Sequence, residues 1–211
     1  TSRGSRPALP GTQKPGVPDI EAMIRVDHAG EFGALRIYEG QLAVLSRKST
    51  AQANLEAIRG MAAQEQKHFD AFDRMVKDRA VRPTALEPVW RAAGFALGAA
   101  TALMGEKAAM ACTVAVEDVI DEHYTKQIER LGESEPELKR TVAEFHRDEC
   151  AHRDEALKHG AREAPAYGLL SAAIRLSCRK TWLRACGRRS MRMTRSSPSR
   201  KPATRRIRCS R

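Results

Sequence analysis

Two short patterns in this sequence have the residue types and spacing to hold metal. Glu65-Gln66-Lys67-His68 and Glu149-Cys150-Ala151-His152 each set a carboxylate and an imidazole three residues apart. On a helix that spacing turns both groups to one side. Of the six histidines, only His68 and His152 follow a Glu in this way. Two further acids stand among small and apolar neighbours, where a solvated acid is not expected: Glu31 in AGEFGAL and Glu117 in ACTVAVE. Glu31 precedes Glu65 by 34 residues, and Glu117 precedes Glu149 by 32. The chain therefore repeats one plan, a lone Glu and then a Glu-x-x-His. A single Glu-x-x-His is most often a solvated surface pair, but a repeat of the whole placement is much harder to obtain by chance.

The chemistry follows from bringing the two halves together. Four helices that bind two irons need a Glu from each of two helices and a Glu-x-x-His from each of the other two. Glu31, Glu65, His68, Glu117, Glu149 and His152 meet that requirement. Four carboxylates and two imidazoles aimed into one core would repel and desolvate at great cost unless cations lay between them. An oxygen-rich set with two imidazoles suits iron or manganese, and the lack of thiolate ligands argues against zinc. Two adjacent irons can share the two electrons that O2 activation needs, with Glu65 and Glu149 the natural bridges. Spacing alone leaves iron storage and peroxide disproportionation open as alternatives.

Helices must carry these residues. Asp19 is placed to cap a helix over about 20–47, where Ile24, Leu35, Ile37, Leu42 and Leu45 form an apolar stripe despite Gly30, Gly33 and Gly40. Ser49-Thr50 offers a cap for a second helix over about 51–79, with Leu55, Ile58, Met61, Phe69, Phe72 and Val76 recurring at helical spacing. After Pro83 and Pro88, the fourteen residues between Arg91 and Glu106 carry no charge. A membrane-spanning helix needs about 20 apolar residues, so this stretch is either a buried helix or one lying in a membrane interface. A helix over about 106–131 ends at Gly132, and another over about 134–159 ends at Gly160, both plausible C-terminal stops. Pro165 suits the first turn of a last helix starting near 164. The expected fold is all-α, a four-helix bundle with an added apolar helix and a C-terminal helix.

The net charge of +11 needs dividing before it can be read. The stretch from Cys178 to Arg211 holds 13 Lys or Arg and no acid, which leaves 24 basic against 26 acidic residues before it. The expected domain at 19–179 is thus near neutral, and the basicity belongs to a Ser/Arg/Pro-rich segment at 180–211 expected to be disordered. Nonspecific contact with anions is all such a tail implies, so no specific nucleic-acid partner is expected. Residues 1–18, Pro-rich and without an acid, are expected to be a disordered leader. The five cysteines form no CxxC pair, which removes the commonest zinc pattern.

Longer runs add a resemblance. IRVDHAGEFGALRIYEGQLAVL (24–45), EQKHFDAF (65–72), VRPTALEPVWRAAGFALGAATALMG (81–105), AMACTVAVEDVIDEHYTKQI (109–128), FHRDECAHRDEAL (145–157) and APAYGLLSAAIRLSCR (164–179) resemble the demethoxyubiquinone hydroxylases of ubiquinone biosynthesis. The resemblance covers about residues 20–179. It implies a ferritin-like di-iron monooxygenase that hydroxylates the demethoxyubiquinone (demethoxyubiquinol) ring with O2, using two iron ions per chain and a reductant such as NADH. It also implies that the 84–104 segment faces a membrane, that His123 and Tyr124 serve electron delivery or quinone contact, and that a polyprenyl quinone is bound. Leu97, Leu103, Met104, Met110 and Val114 are the expected lining for that quinone. A peripheral place follows, on the cytoplasmic face of a bacterial inner membrane or the matrix face of the mitochondrial one, with a lipid-binding accessory protein of the same pathway as a partner. The resemblance stops at Arg179, where the composition shifts abruptly to KTWLRACGRRSMRMTRSSPSRKPATRRIRCSR. The family ends on a short apolar helix at that point, and the shift looks more like a frame-shifted end than an evolved domain.

Overall fold

The computed structural model describes residues 19–48 and 52–185, with side chains through 180. The expected leader at 1–18, the Ser49-Thr50 cap and most of the basic tail lie outside the described residues. Within them the chain is helical, without a strand: α1 (Ile20–Leu45), α2 (Gln52–Asp78), α3 (Glu87–Leu103), α4 (Glu106–Leu131), α5 (Pro136–Lys158) and α6 (Tyr167–Ala185). Asp19 caps α1 as its sequence position suggests, its side chain accepting from the Ala22 amide at 3.0 Å. Gly132 and Gly160 both take positive φ at the ends of α4 and α5, where a residue without a Cβ avoids strain.

Three boundaries differ from the sequence expectation, each for a local reason. α3 begins at Glu87, before the charge-free stretch, because a proline is tolerated in a helix's first turn and Pro88 sits there. α5 begins at Pro136, two residues later than expected, because the Ser134 hydroxyl donates back to the Leu131 carbonyl at 2.6 Å. α6 begins at Tyr167 because Pro165 occupies a turn. The Tyr167 amide donates to the Ala164 carbonyl at 3.1 Å and Ala166 has φ +51°, the arrangement of a turn with Pro at its second position and positive φ at its third. α6 then continues to Ala185, into the range expected of the tail.

α1 packs on α2 and α4 on α5, and contacts of α2 with α5 and of α1 with α4 close these hairpins into a ferritin-like bundle. Its core is two apolar layers. Met23, Ile24, Phe72, Val76, Ile120, Leu131, Leu138 and Val142 fill one end; Leu45, Leu55, Ile58, Met61, Met110 and Val114 fill the other. The middle of each bundle helix lies between these layers, and there the polar residues cluster.

α3 is laid along α1 by small residues. A Cβ at Gly98 would overlap the Ile37 carbonyl, one at Gly40 would overlap the Phe95 carbonyl, and one at Gly94 would come 2.9 Å from the Gly33 carbonyl. The glycines that weaken α1 as an isolated helix are thus the surface that admits α3. α6 covers α4 and is tied down by Arg175, which pairs with Asp118 at 2.8 Å. No helix among the described residues is long and apolar enough to cross a membrane.

Candidate metal centre

The six expected ligands come together in the middle layer. Among the described residues, ligand atoms of Glu31, Glu65, His68 and Glu149 lie within 4.8 Å of one another, and so do those of Glu65, Glu117, Glu149 and His152. Glu65 and Glu149 belong to both groups. Each group is therefore one terminal Glu, one His and two shared carboxylates. All six side chains are buried, none more than 2 % exposed.

The histidines show which nitrogen faces inward. Nδ1 of His68 lies 3.1 Å from Glu149 Oε1 and 3.7 Å from Glu31 Oε2. Nδ1 of His152 lies 3.1 Å from Glu65 Oε1 and 3.2 Å from Glu149 Oε2. The opposite nitrogens point outward, His68 Nε2 to Asp148 Oδ2 at 3.1 Å and His152 Nε2 to Gln64 Oε1 at 3.0 Å. A carboxylate or amide oxygen accepts, so Nε2 carries a proton on each ring, while Nδ1 faces the carboxylates where an ion would lie.

Electrostatics shows that the set fits cations. Burial, with the Glu149 charge next in size, pushes the Glu65 and Glu117 carboxyls well above the ordinary carboxylate range. Burial raises Glu31 as well, against the opposing pull of the nearby His68 ring. Glu149 goes the other way. Burial opposes its ionisation, but the hydrogen bonds and charges of His152 and His68 hold its carboxyl below the ordinary range. Burial lowers His68 and His152, yet the close carboxylates, Glu149 beside both rings with Glu31 beside His68 and Glu65 beside His152, lift them to about 12 and about 10. Both oxygens of Glu65, Oε2 of Glu31 and Glu117, Oε1 of Glu149 and Nδ1 of His68 make no hydrogen bond of good geometry. Buried polar atoms are rarely left so, and two divalent cations would satisfy all of them.

Tyrosines complete the centre, one of them not foreseen. Tyr124 donates its hydroxyl to Glu31, and Tyr38 donates to Glu117 Oε1 at 3.2 Å. Tyr38 stands seven residues after Glu31, as Tyr124 stands seven after Glu117, and each reaches the Glu of the other half. Extending the internal repeat beyond the six ligands finds Tyr38, and it also finds Gln64 and Asp148, each the residue just before a Glu-x-x-His. His123 pairs with buried Asp27 at 2.8 Å, while Gln127 donates to the other Asp27 oxygen at 2.6 Å.

The five expected quinone-lining residues do not gather in one place. Met110 and Val114 are buried in the apolar layer that also holds Tyr38. Leu97 is half-buried against the opposite layer. Leu103 and Met104 are 65 % and 53 % exposed at the end of α3.

Comparison with known proteins adds a family and relatives. The family described as "Ubiquinone biosynthesis protein COQ7" matches residues 18–183. A 3-demethoxyubiquinol 3-hydroxylase from Rhodospirillum rubrum is 55% identical over 79% of this chain and 77% of its own length. The mitochondrial NADPH-dependent 3-demethoxyubiquinone 3-hydroxylase of Homo sapiens is 47% identical over 76% of this chain and 74% of its own. The mitochondrial 5-demethoxyubiquinone hydroxylase of Saccharomyces cerevisiae is 39% identical over 76% and 74%.

Proposed function

The chain belongs to the COQ7 family of ubiquinone biosynthesis proteins, and from that premise we propose that its buried Glu/His centre holds two iron ions for hydroxylation of the demethoxyubiquinone ring. It is an oxygenating oxidoreductase of ubiquinone biosynthesis, a demethoxyubiquinone hydroxylase, as its relatives are. The observation that carries the metal reading is the sharing of Glu65 and Glu149 between two four-residue groups. Glu31 and His68 would hold one ion, Glu117 and His152 the other, and the two shared carboxylates would bridge them.

When bound, the iron pair supplies the site for O2 and the electrons that cleave it. The protein's own part is orientation and exclusion. Tyr124 and Tyr38 fix one oxygen each of Glu31 and Glu117. Asp148 and Gln64 fix the imidazole rings. The apolar layers on either side keep water from the centre, where a reactive oxidant would otherwise be quenched. Tyr124, whose hydroxyl burial pushes well above its ordinary pKa, stays protonated and keeps donating to Glu31.

The substrate is a ring on a polyprenyl tail, so the enzyme meets it at a membrane surface, peripherally. The exposed apolar side chains of α3 support that placement: Val89, Phe95, Leu103 and Met104. In this reading Leu103 and Met104 touch lipid or the quinone tail, and Met110 and Val114 border the ring, while Leu97 packs against the other layer. The sequence expectation named NADH, whereas the human relative's name specifies NADPH; the proposed reductant is a reduced nicotinamide. A lipid-binding accessory protein of the same pathway is its proposed partner.

The test is to express the chain anaerobically with Fe(II), measure iron per chain, then add demethoxyubiquinol, O2 and a reductant and follow the product by mass. About two irons per chain, as the two four-residue groups require, and a gain of one oxygen atom are expected. Iron without turnover would favour storage, and no stoichiometric iron would overturn the metal reading.

A further inference from the structure

The two halves of the centre match in their ligand types and in the tyrosine on each lone Glu, and they differ in charge behind the imidazoles. Glu31 with Tyr124 corresponds to Glu117 with Tyr38, and Glu65 with His68 corresponds to Glu149 with His152. Behind each inward-facing imidazole stands the residue that precedes the opposing Glu-x-x-His. Behind His68 that residue is Asp148, whose Oδ2 lies 3.1 Å from Nε2. Behind His152 it is Gln64, whose Oε1 lies 3.0 Å from Nε2. The places and distances are equivalent, and the difference is a unit of charge.

We infer that this difference makes the two metal positions unequal: the one formed by Glu31 and His68 binds a divalent ion more tightly and fills first, and the one formed by Glu117 and His152 fills second, with Asp148 as the positioning residue responsible. A carboxylate that accepts from Nε2–H makes the other ring nitrogen a stronger donor, and it fixes the ring for coordination. Charge-assisted hydrogen bonds are also about twice as strong as those between neutral partners. An amide oxygen at the same place orients the ring but adds no charge. Asp148 is about one-third exposed, so its field is partly screened, but its effect passes through a direct hydrogen bond to a buried ring. The terminal and shared carboxylates do not create the inequality, since each position has one terminal Glu and the same two bridges.

The inference rests on the six residues being ligands, and its test separates the two ideas. Metal-free full-length chain is titrated anaerobically with Fe(II), following heat and the circular dichroism of the iron bands. The native chain is expected to bind in two steps of unequal affinity. Asp148→Asn should weaken the tighter step by ~10–100-fold, the range measured for outer partners of metal ligands, and leave the looser step in place. Asp148→Glu should restore the tighter step. Gln64→Glu should tighten the looser step, bringing the two together. Two equal steps in the native chain, or an Asp148→Asn effect that is nil or falls on the looser step, would overturn the inequality while the ligand reading stood. No uptake by the native chain would instead overturn the ligand reading. If Asp148→Asn fails to fold, Gln64→Glu decides, and no tightening in that variant also counts against the proposal.

Discussion

Glu149 and Glu65 both belong to the two four-residue groups, but they carry opposite electrostatic burdens in the metal-free chain. Glu149 is ionised and paired with both histidines, whereas both oxygens of Glu65 lack a good hydrogen bond. Glu149→Ala should therefore cost iron and activity together. An outer partner alone is worth ~10–100-fold in affinity or activity, so losing a bridge should lower turnover by at least ~100-fold, and full turnover would show the ligand assignment to be wrong. Glu65→Gln should also lose iron, yet it should raise the melting temperature of the metal-free chain near pH 8, because it removes a carboxyl that burial makes costly to ionise. The pH dependence follows from the shifted groups. Glu31, Glu65 and Glu117 have folded pKa values raised above 4.5, and His68 and His152 are raised to about 12 and about 10. A raised group contributes stability that is fully present below its unfolded pKa and is lost as pH climbs toward the folded one. All five act in the same direction, so the metal-free chain should melt higher at pH 5.5 than at pH 8. With Fe(II) bound the order should reverse, because the ligands must be deprotonated to hold it. Calorimetric scans of the two forms check this, and a metal-free chain that is more stable at pH 8 would contradict it. The depressed Glu149 loses its contribution only below 4.5, outside that window.

The elements were legible to the extent that their signals were local. Asp19, Gly132 and Gly160 mark helix ends by their own chemistry, and the structure uses all three. Pro88 and Pro165 carry an ambiguous signal, because a proline suits a helix's first turn, a turn's second position and a break equally; only tertiary contacts decide. The glycines of α1 were the clearest case of a hidden reason. As a lone helix α1 is weakened by Gly33 and Gly40, and their use appears only when α3 lies against them. That packing makes a paired prediction. Gly98→Ala would drive a Cβ into the Ile37 carbonyl, and overpacking of this kind costs about 1–3 kcal/mol. Gly60→Ala sits on α2 with nothing within 4 Å of the new Cβ, so it should stabilise by about 0.5–1 kcal/mol. Thermal unfolding of the two variants should move in opposite directions. Equal shifts would mean that α3 does not hold the close packing against α1.

For the whole molecule, the repeat of Glu and Glu-x-x-His was visible because ligand spacing is a one-dimensional property of helices, while the tyrosine exchange between halves required the helices to be placed side by side. The quinone lining was the least legible part, since apolar residues read alike whether they fill a core, like Met110, or face outward, like Leu103. α3 buries Gly94, Gly98, Thr101 and Ala102 against the bundle and exposes Val89, Phe95, Leu103 and Met104, with no charge from 92 to 105. Water is a costly neighbour for so many large apolar groups on one helix, and a bilayer interface would cover them without any helix crossing it. Full burial of such a side chain is worth about 1.5–3 kcal/mol, and shallow insertion recovers part of that. Taking about 1 kcal/mol each, the combined Val89→Ser, Leu103→Ser and Met104→Ser variant should bind vesicles of phosphatidylcholine and phosphatidylglycerol roughly 100-fold less well. None of the three touches the centre, so iron content should stay unchanged. Turnover of a short-tailed quinone in detergent should persist, while KM for a polyprenyl quinone in vesicles rises. Unchanged vesicle binding would remove α3 as the membrane face and leave the entrance for the quinone tail to be sought along α6, where Leu169 and Leu176 are exposed.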